Sequence, residues 1–243
     1  MRNPTPVVFI HGFIGTLDIA DYAFPHAMPD LLGYGEHQAA PFDTITLSGQ
    51  VEHLRRFVDS HFGSKPVDLV GHSVGGAIAM LFAHTYPEYV RRVVNVEGNF
   101  TLDDAFWSAS VGRMSPGEAA AMLNGFRSDP SAWINGAVTE PAPHLEGIAA
   151  RWLAHQPAST LRAMGQSVVT ITGSADYPGL LEQVFNRHPV YLLSGERSHK
   201  SWNVPRRAWE KCAGHQMLAG SGHLMMLDDP ATFSAAIRRC LVE

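Results

Sequence analysis

Cysteine is scarce: Cys212 and Cys240 are the only two in 243 residues. Two thiols cannot build a disulfide framework or a metal ligand set, and the cytoplasm is the expected compartment. Positive charge is also short. Eighteen Lys and Arg stand against 23 Asp and Glu, a net charge of −5, which argues against a nucleic-acid or anionic-membrane partner. No run approaches the roughly 18 apolar residues of a membrane span. The opening stretch Met1–Pro6 carries neither the n-region nor the h-region of a signal peptide. Dinucleotide fingerprints and metal-ligand spacings are missing, so no cofactor and no metal is expected. Repeats, low-complexity tracts and flexible linkers are missing too. What is there is ordinary globular composition, 45% hydrophobic and 17% charged, in a length suited to one large α/β domain or two small ones.

Short apolar β-branched runs alternate with helical spacing. Pro6 to Ile10 reads as a buried parallel strand closed by His11-Gly12. Residues 13–45 are rich in Gly and Pro, with room for one short helix and one weak strand. Leu47 to Phe62 has helical spacing, with Ser48 as a candidate N-cap and Gly63 as the stop. Val67 to Val70 is the next strand, Gly75 to Tyr86 a small-residue helix, and Val90 to Val96 a third strand with Arg91 and Arg92 in its first half. After Glu97 the rhythm changes, and residues 100–165 carry helical patterns only. Ser167 to Thr172 is ambiguous between strand and helix end. Strand–helix order then returns with Val190 to Leu193, a helix around Pro205 to Ala213, Gln216 to Ala219, and a closing helix from Pro230 to Val242. This alternation predicts a mostly parallel sheet with right-handed crossovers. Residues 1–99 and 189–243 form its core, and 100–188 form a helical cap inserted between two strands.

Three motifs carry chemistry. Gly71-His72-Ser73-Val74-Gly75 follows a predicted strand and opens a predicted helix. A sharp strand-to-helix turn there lifts Ser73 above the sheet on strained backbone, and flanking glycines let neighbouring backbone pass. The helix N-terminus behind it favours developing negative charge. His11-Gly12-Phe13 ends the first strand, so the backbone N–H groups of Phe13 and Val74 are the candidate oxyanion hole. Gly220-Ser221-Gly222-His223 follows the last strand, making His223 the candidate general base, with His199 as its competitor. His72 adjoins the nucleophile across a turn, so its ring is expected to point away, in a structural role.

With these three motifs in this order, the chain resembles the α/β-hydrolase-fold superfamily, in its cap-bearing form that includes esterases, lactonases and C–C hydrolases. The resemblance covers residues 6–242, is weakest in the cap, and implies a sheet of about six strands, since the two strands that usually precede the His11 strand have no counterpart. It also implies a Ser–acid–His chain order, which favours His223 over His199. The acid is the departure. The family's usual position falls in Gly195-Glu196-Arg197-Ser198, where Ser198 stands in place of aspartate. Three candidates remain: Glu196 in that loop, Asp176 in Gly173-Ser174-Ala175-Asp176, and Glu97. Glu97 ends the strand beside the nucleophile strand, and adjacent parallel strands share one carboxyl edge, so Glu97 is favoured.

A serine at position 73 turns the expectation away from the aspartate-dependent dehalogenases and epoxide hydrolases of this fold. The expected activity is hydrolysis of a small apolar ester or lactone through an acyl-enzyme on Ser73, by a monomer or homodimer. Alternatives are C–C bond hydrolysis, a hydroxynitrile lyase relying on a lysine such as Lys200, or a slow-turnover ligand receptor of the same fold. Phe106, Trp107, Trp133 and Trp152 in the cap point to an apolar pocket. Arg113, Arg127 and Arg151 are the cap cations within reach of a substrate carboxylate, though surface positions suit them better.

Overall fold

A computed structural model describes residues 5–242 except 18, 20, 21 and 64. Six strands form one sheet: β1 (Val7–Ile10), β2 (His26–Ala27), β3 (Val67–His72), β4 (Val90–Val96), β5 (Val190–Gly195) and β6 (Gly214–Leu218). Their spatial order is β2-β1-β3-β4-β5-β6, and every pairing is parallel. β1 and β3 are buried at every position, which is why they read as continuous apolar runs. The exception in β3 is Asp68, and β4 answers it. Arg91 Nε donates to Asp68 Oδ1 at 2.8 Å and its second nitrogen reaches Asp68 Oδ2, so the arginine that interrupts the apolar run neutralises a buried carboxylate on the next strand.

The sheet is flanked by α1 (Leu47–Phe62), α2 (Val74–Thr85), six helices between β4 and β5, α9 (Arg206–Lys211), α10 (Met225–Asp228) and α11 (Pro230–Val242). Ten of the twelve residues of α2 are buried, which matches its small-residue composition. α1 starts two residues earlier than a Ser48 cap allows. Thr46 is the N-cap, and its Oγ1 accepts the Gly49 N–H at 2.9 Å. Among the described residues of 13–45 the regular elements are the two-residue β2 and two 3₁₀ turns at 35–37 and 42–44.

The helices between β4 and β5 are α3 (Phe106–Arg113), α4 (Pro116–Ser128), α5 (Pro130–Asn135), α6 (His144–Ala154), α7 (Ala158–Thr172) and α8 (Tyr177–Arg187). The ambiguous stretch Ser167–Thr172 is the last part of α7. Its β-branched residues lie on a helix, where Val168 is buried and Thr172 Oγ1 bonds back to Val168 O at 2.8 Å. α3 and α7 meet backbone to backbone at Gly112 and Gly165, where a Cβ on Gly112 would lie 2.5 Å from the Gly165 carbonyl carbon. α8 packs along α2 and α9. No helix of the described residues is long and apolar enough to cross a membrane.

His11, at the end of β1, is buried between Tyr34 and His155. Its Nδ1 faces Gly12 O at 2.9 Å and its Nε2 faces the Leu31 N–H at 3.4 Å, a pattern that needs the neutral ring. Burial pulls its pKa from 6.5 down to about 4. The unfolded chain therefore binds a proton that the folded one refuses between those two values. Stability is full above pH 6.5 and falls as pH drops toward 4, by on the order of 3 kcal/mol from this residue. Urea unfolding at pH 7, 5.5 and 4 will show that decline. His11→Asn lowers stability at pH 7 but flattens the decline, and an unchanged slope would remove His11 as its source.

Candidate active site

Ser73 is the single residue between β3 and α2, with φ 55° and ψ −125°. Its N–H donates to Val96 O at 2.9 Å, tying it to the end of β4. The turn is sharp because backbone crowds it on both sides. A Cβ on Gly75 would lie 2.2 Å from Ile10 O, and one on Gly71 would lie 2.3 Å from Gly75 O. Ser73 thus stands on the strained backbone that its motif predicts.

Glu97 directly follows β4 and has φ 43°. Ser73 and Glu97 are the only non-glycine residues with positive φ among the described residues, and they close adjacent central strands. The Glu97 side chain is 3% exposed. Its Oε2 lies 2.7 Å from His223 Nδ1. Its Oε1 accepts the Gly195 N–H at 2.8 Å and the Ser198 hydroxyl at 2.6 Å. With Nδ1–H donated to Glu97, His223 keeps Nε2 free to take a proton.

His223 sits on the loop after β6. Gly222 N–H donates to Asp228 Oδ2 at 2.7 Å, and Arg197 N–H donates to Ser221 O at 3.0 Å, which pins that loop to α10 and to the turn after β5. His72 holds it from the third side. Its Nε2 lies 3.0 Å from His223 O, and the two rings lie 4.6 Å apart. The ring of His72 therefore faces the site, contrary to the expectation that it points away. As the last residue of β3 it lies on the shared carboxyl edge, beneath the histidine loop. Burial, then the charge of His223, pulls its pKa well below 6.5, so His72 is a neutral donor to that carbonyl.

Ser73, Glu97 and His223 line one cavity of about 530 Å³. Phe13 lines it as well, and Val74 opens α2, where first-turn N–H groups lack intrahelical partners. Phe106, Trp107, Trp133 and Trp152 supply aromatic wall. Met114, Met122 and Phe126 pack into the hydrophobic core and do not line the cavity.

The other candidates lie elsewhere. Glu196 is exposed and accepts the Gly220 N–H at 2.8 Å. Asp176 is exposed at the start of α8. His199 packs against Trp209 and His215, with Nδ1 3.2 Å from Ser194 Oγ, and does not line the cavity. Lys200 is exposed and also stands off the cavity wall. Ser198 matters more than its sequence suggests. Where the resemblance calls for an aspartate, its hydroxyl grips the carboxylate supplied by Glu97. The signal was the vacancy itself, since a site that keeps its serine and histidine must draw its acid from another strand end.

A sequence profile of the Alpha/beta hydrolase family matches residues 7–236. The chain belongs to that family. An uncharacterized protein of Mycobacterium tuberculosis is 28% identical over 240 residues, covering 87% of this chain. This chain spans 65% of that relative's length. Lipase LipV of Mycobacterium tuberculosis is 41% identical over 80 residues, 32% of this chain and 29% of that protein. Among solved structures, an esterase from Exiguobacterium antarcticum superposes with a TM-score of 0.69 at 17% identity, covering 100% of this chain and 94% of that one. The structural likeness concerns the fold.

The Glu97–His223 pairing has a spectroscopic test. Proton NMR of the wild-type protein will show a low-field His223 Nδ1–H resonance, since this hydrogen bond is short and its acceptor is a carboxylate. Glu97→Gln moves that resonance upfield or abolishes it, while Glu196→Gln and Asp176→Asn leave it in place. Loss in either of the latter alone would place the acid elsewhere.

Proposed function

We propose that the protein is a serine hydrolase cleaving small apolar carboxylic esters or lactones through an acyl-enzyme on Ser73. The observation that carries the reading is a strained strand-to-helix serine sharing a cavity with a histidine whose far nitrogen is bound to a buried glutamate. In this reading His223 Nε2 takes the Ser73 proton as Oγ attacks the carbonyl carbon. The N–H groups of Phe13 and Val74 receive the oxyanion, worth ~3–4 kcal/mol each in the transition state. His223 then protonates the leaving alkoxide, and the alcohol departs. A water molecule, deprotonated by the same nitrogen, attacks the acyl carbon and releases the acid. Glu97 holds the ring in the required tautomer and stabilises its charged form.

Residues 100–188 act as the cap over the core formed by 1–99 and 189–243. The family assignment supports a hydrolase, and the lipase and esterase names among its relatives favour ester chemistry. The aromatic wall favours an apolar acyl or alkyl group.

Hydrolysis of p-nitrophenyl acetate and butyrate tests the reading. Turnover is prompt, and Ser73→Ala abolishes it together with labelling by a fluorophosphonate probe. Glu97→Gln lowers kcat by up to about 10⁴ with KM largely kept. Negligible turnover with ligand-induced thermal stabilisation would make the protein a receptor instead. Labelling that persists in Ser73→Ala would move the nucleophile elsewhere.

A further inference from the structure

The cavity has an electrostatic sign. Among the described residues two carboxylates line it, Glu97 and Asp104, and no lysine or arginine does. Glu97 is committed to His223, Gly195 and Ser198. Asp104 faces no cation. Its oxygens accept from the backbone N–H groups of Phe100 and Thr101 and from Asn99 Nδ2, and its only charged neighbour of note is Asp103. Burial among neutral partners lifts its pKa from 3.8 to about 6, as expected of a carboxylate without a counter-ion. The cap arginines do not answer it. Arg127 donates to Leu153 O and Gln156 O, Arg151 to Gly147 O, and neither lines the cavity.

Asn99 adds a second observation. It lines the same cavity, is 4% exposed, and its Oδ1 has no hydrogen-bond partner among the described residues. The amide orientation is fixed because Nδ2 donates to Asp104 O at 3.0 Å and to Asp104 Oδ1 at 3.3 Å. An amide flip would set oxygen against oxygen. This corner therefore holds a hydrogen-bonded carboxylate without a counter-ion and an amide oxygen without a donor, and the described side chains supply neither the charge nor that donor.

We infer that the cavity selects esters whose remote end carries a protonated amine. This rests on the hydrolase reading above and names the substrate class of that site. An ammonium group supplies positive charge for Asp104 and N–H donors for both Asp104 and Asn99 Oδ1, while its methylene stem lies against the tryptophan walls. A carboxylate at the same place meets Asp104 with nothing to neutralise either, so anionic esters are turned away.

Three methyl esters of matched length test this: methyl 6-aminohexanoate, methyl heptanoate and monomethyl pimelate. Titration of released acid by the wild-type protein gives the ammonium ester at least 100-fold higher kcat/KM than the carboxylate ester. Asp104→Asn lowers the ammonium-to-heptanoate ratio about tenfold, and because each ratio is taken within one protein, a general loss of activity cancels. Calorimetry on Ser73→Ala reads the same order of preference as binding, without turnover. The inference is overturned if the pimelate ester is cleaved or bound as well as the ammonium ester, a result that needs no Asp104 variant to fold. It is equally overturned if Asp104→Asn folds and leaves the ratio unchanged. Selective binding to Ser73→Ala without wild-type hydrolysis of any ester, p-nitrophenyl acetate included, would sink the hydrolase reading and keep the amine site.

Discussion

The hydrogen bond from Ser73 N–H to Val96 O, 2.9 Å long, ties Ser73 to the peptide that leads into Glu97, and these are the two non-glycine residues with positive φ among the described residues. It sets the end of β3 against the end of β4, and the parallel register pairs His72 with Val96 just before both strands turn. Positive φ at a side-chain-bearing residue costs on the order of 1–3 kcal/mol and persists only where surroundings over-determine it. At Ser73 the surroundings are the glycines that let α2 press onto β1. At Glu97 they are the Leu193 carbonyl that receives its N–H at 3.1 Å and the three groups that hold its carboxylate. Ser73 and Glu97 thus stand directly at the ends of β3 and β4. Only the histidine rides on a loop.

That loop is restrained from three directions by unlike partners: the Asp228 carboxylate, the Arg197 backbone and the His72 ring. The His72 ring that makes the last of these is uncharged. A protonated ring beside His223 would set charge against charge at 4.6 Å between centroids whenever the second ring becomes cationic. Deep burial of His72 removes that conflict, so the same desolvation that costs stability in acid preserves an uncharged support beside the His223 ring.

The middle of the sheet was legible in the sequence because β1 and β3 are buried at every position and bounded by Gly, Pro and His. β4 runs from Val90 to Val96 as its apolar pattern predicts. Ser167–Thr172 was not legible, because a short β-branched run has the same composition in a buried helix as in a strand, and only the packing of α7 on α3 decides. The juxtaposition of Glu97 with His223 followed from strand adjacency alone. The inward ring of His72 did not, since a residue at a strand end escapes the simple alternation of faces. Asn99 and Asp104 gave no signal at all. Isolated polar residues in a connecting loop acquire meaning only when the cavity beside them is known to lack a cation.

Trp202 Nε1–H donates to Gly98 O at 2.8 Å, and Asn95 Oδ1 receives the Gly98 N–H at 2.7 Å. Both peptide groups of the glycine that follows the acid are therefore anchored to the sheet side before the cap begins. This works as a bulkhead. The two bonds that hold the residue after Glu97 come from Asn95 and Trp202, both outside the helices between β4 and β5, so the aim of the carboxylate is set without them.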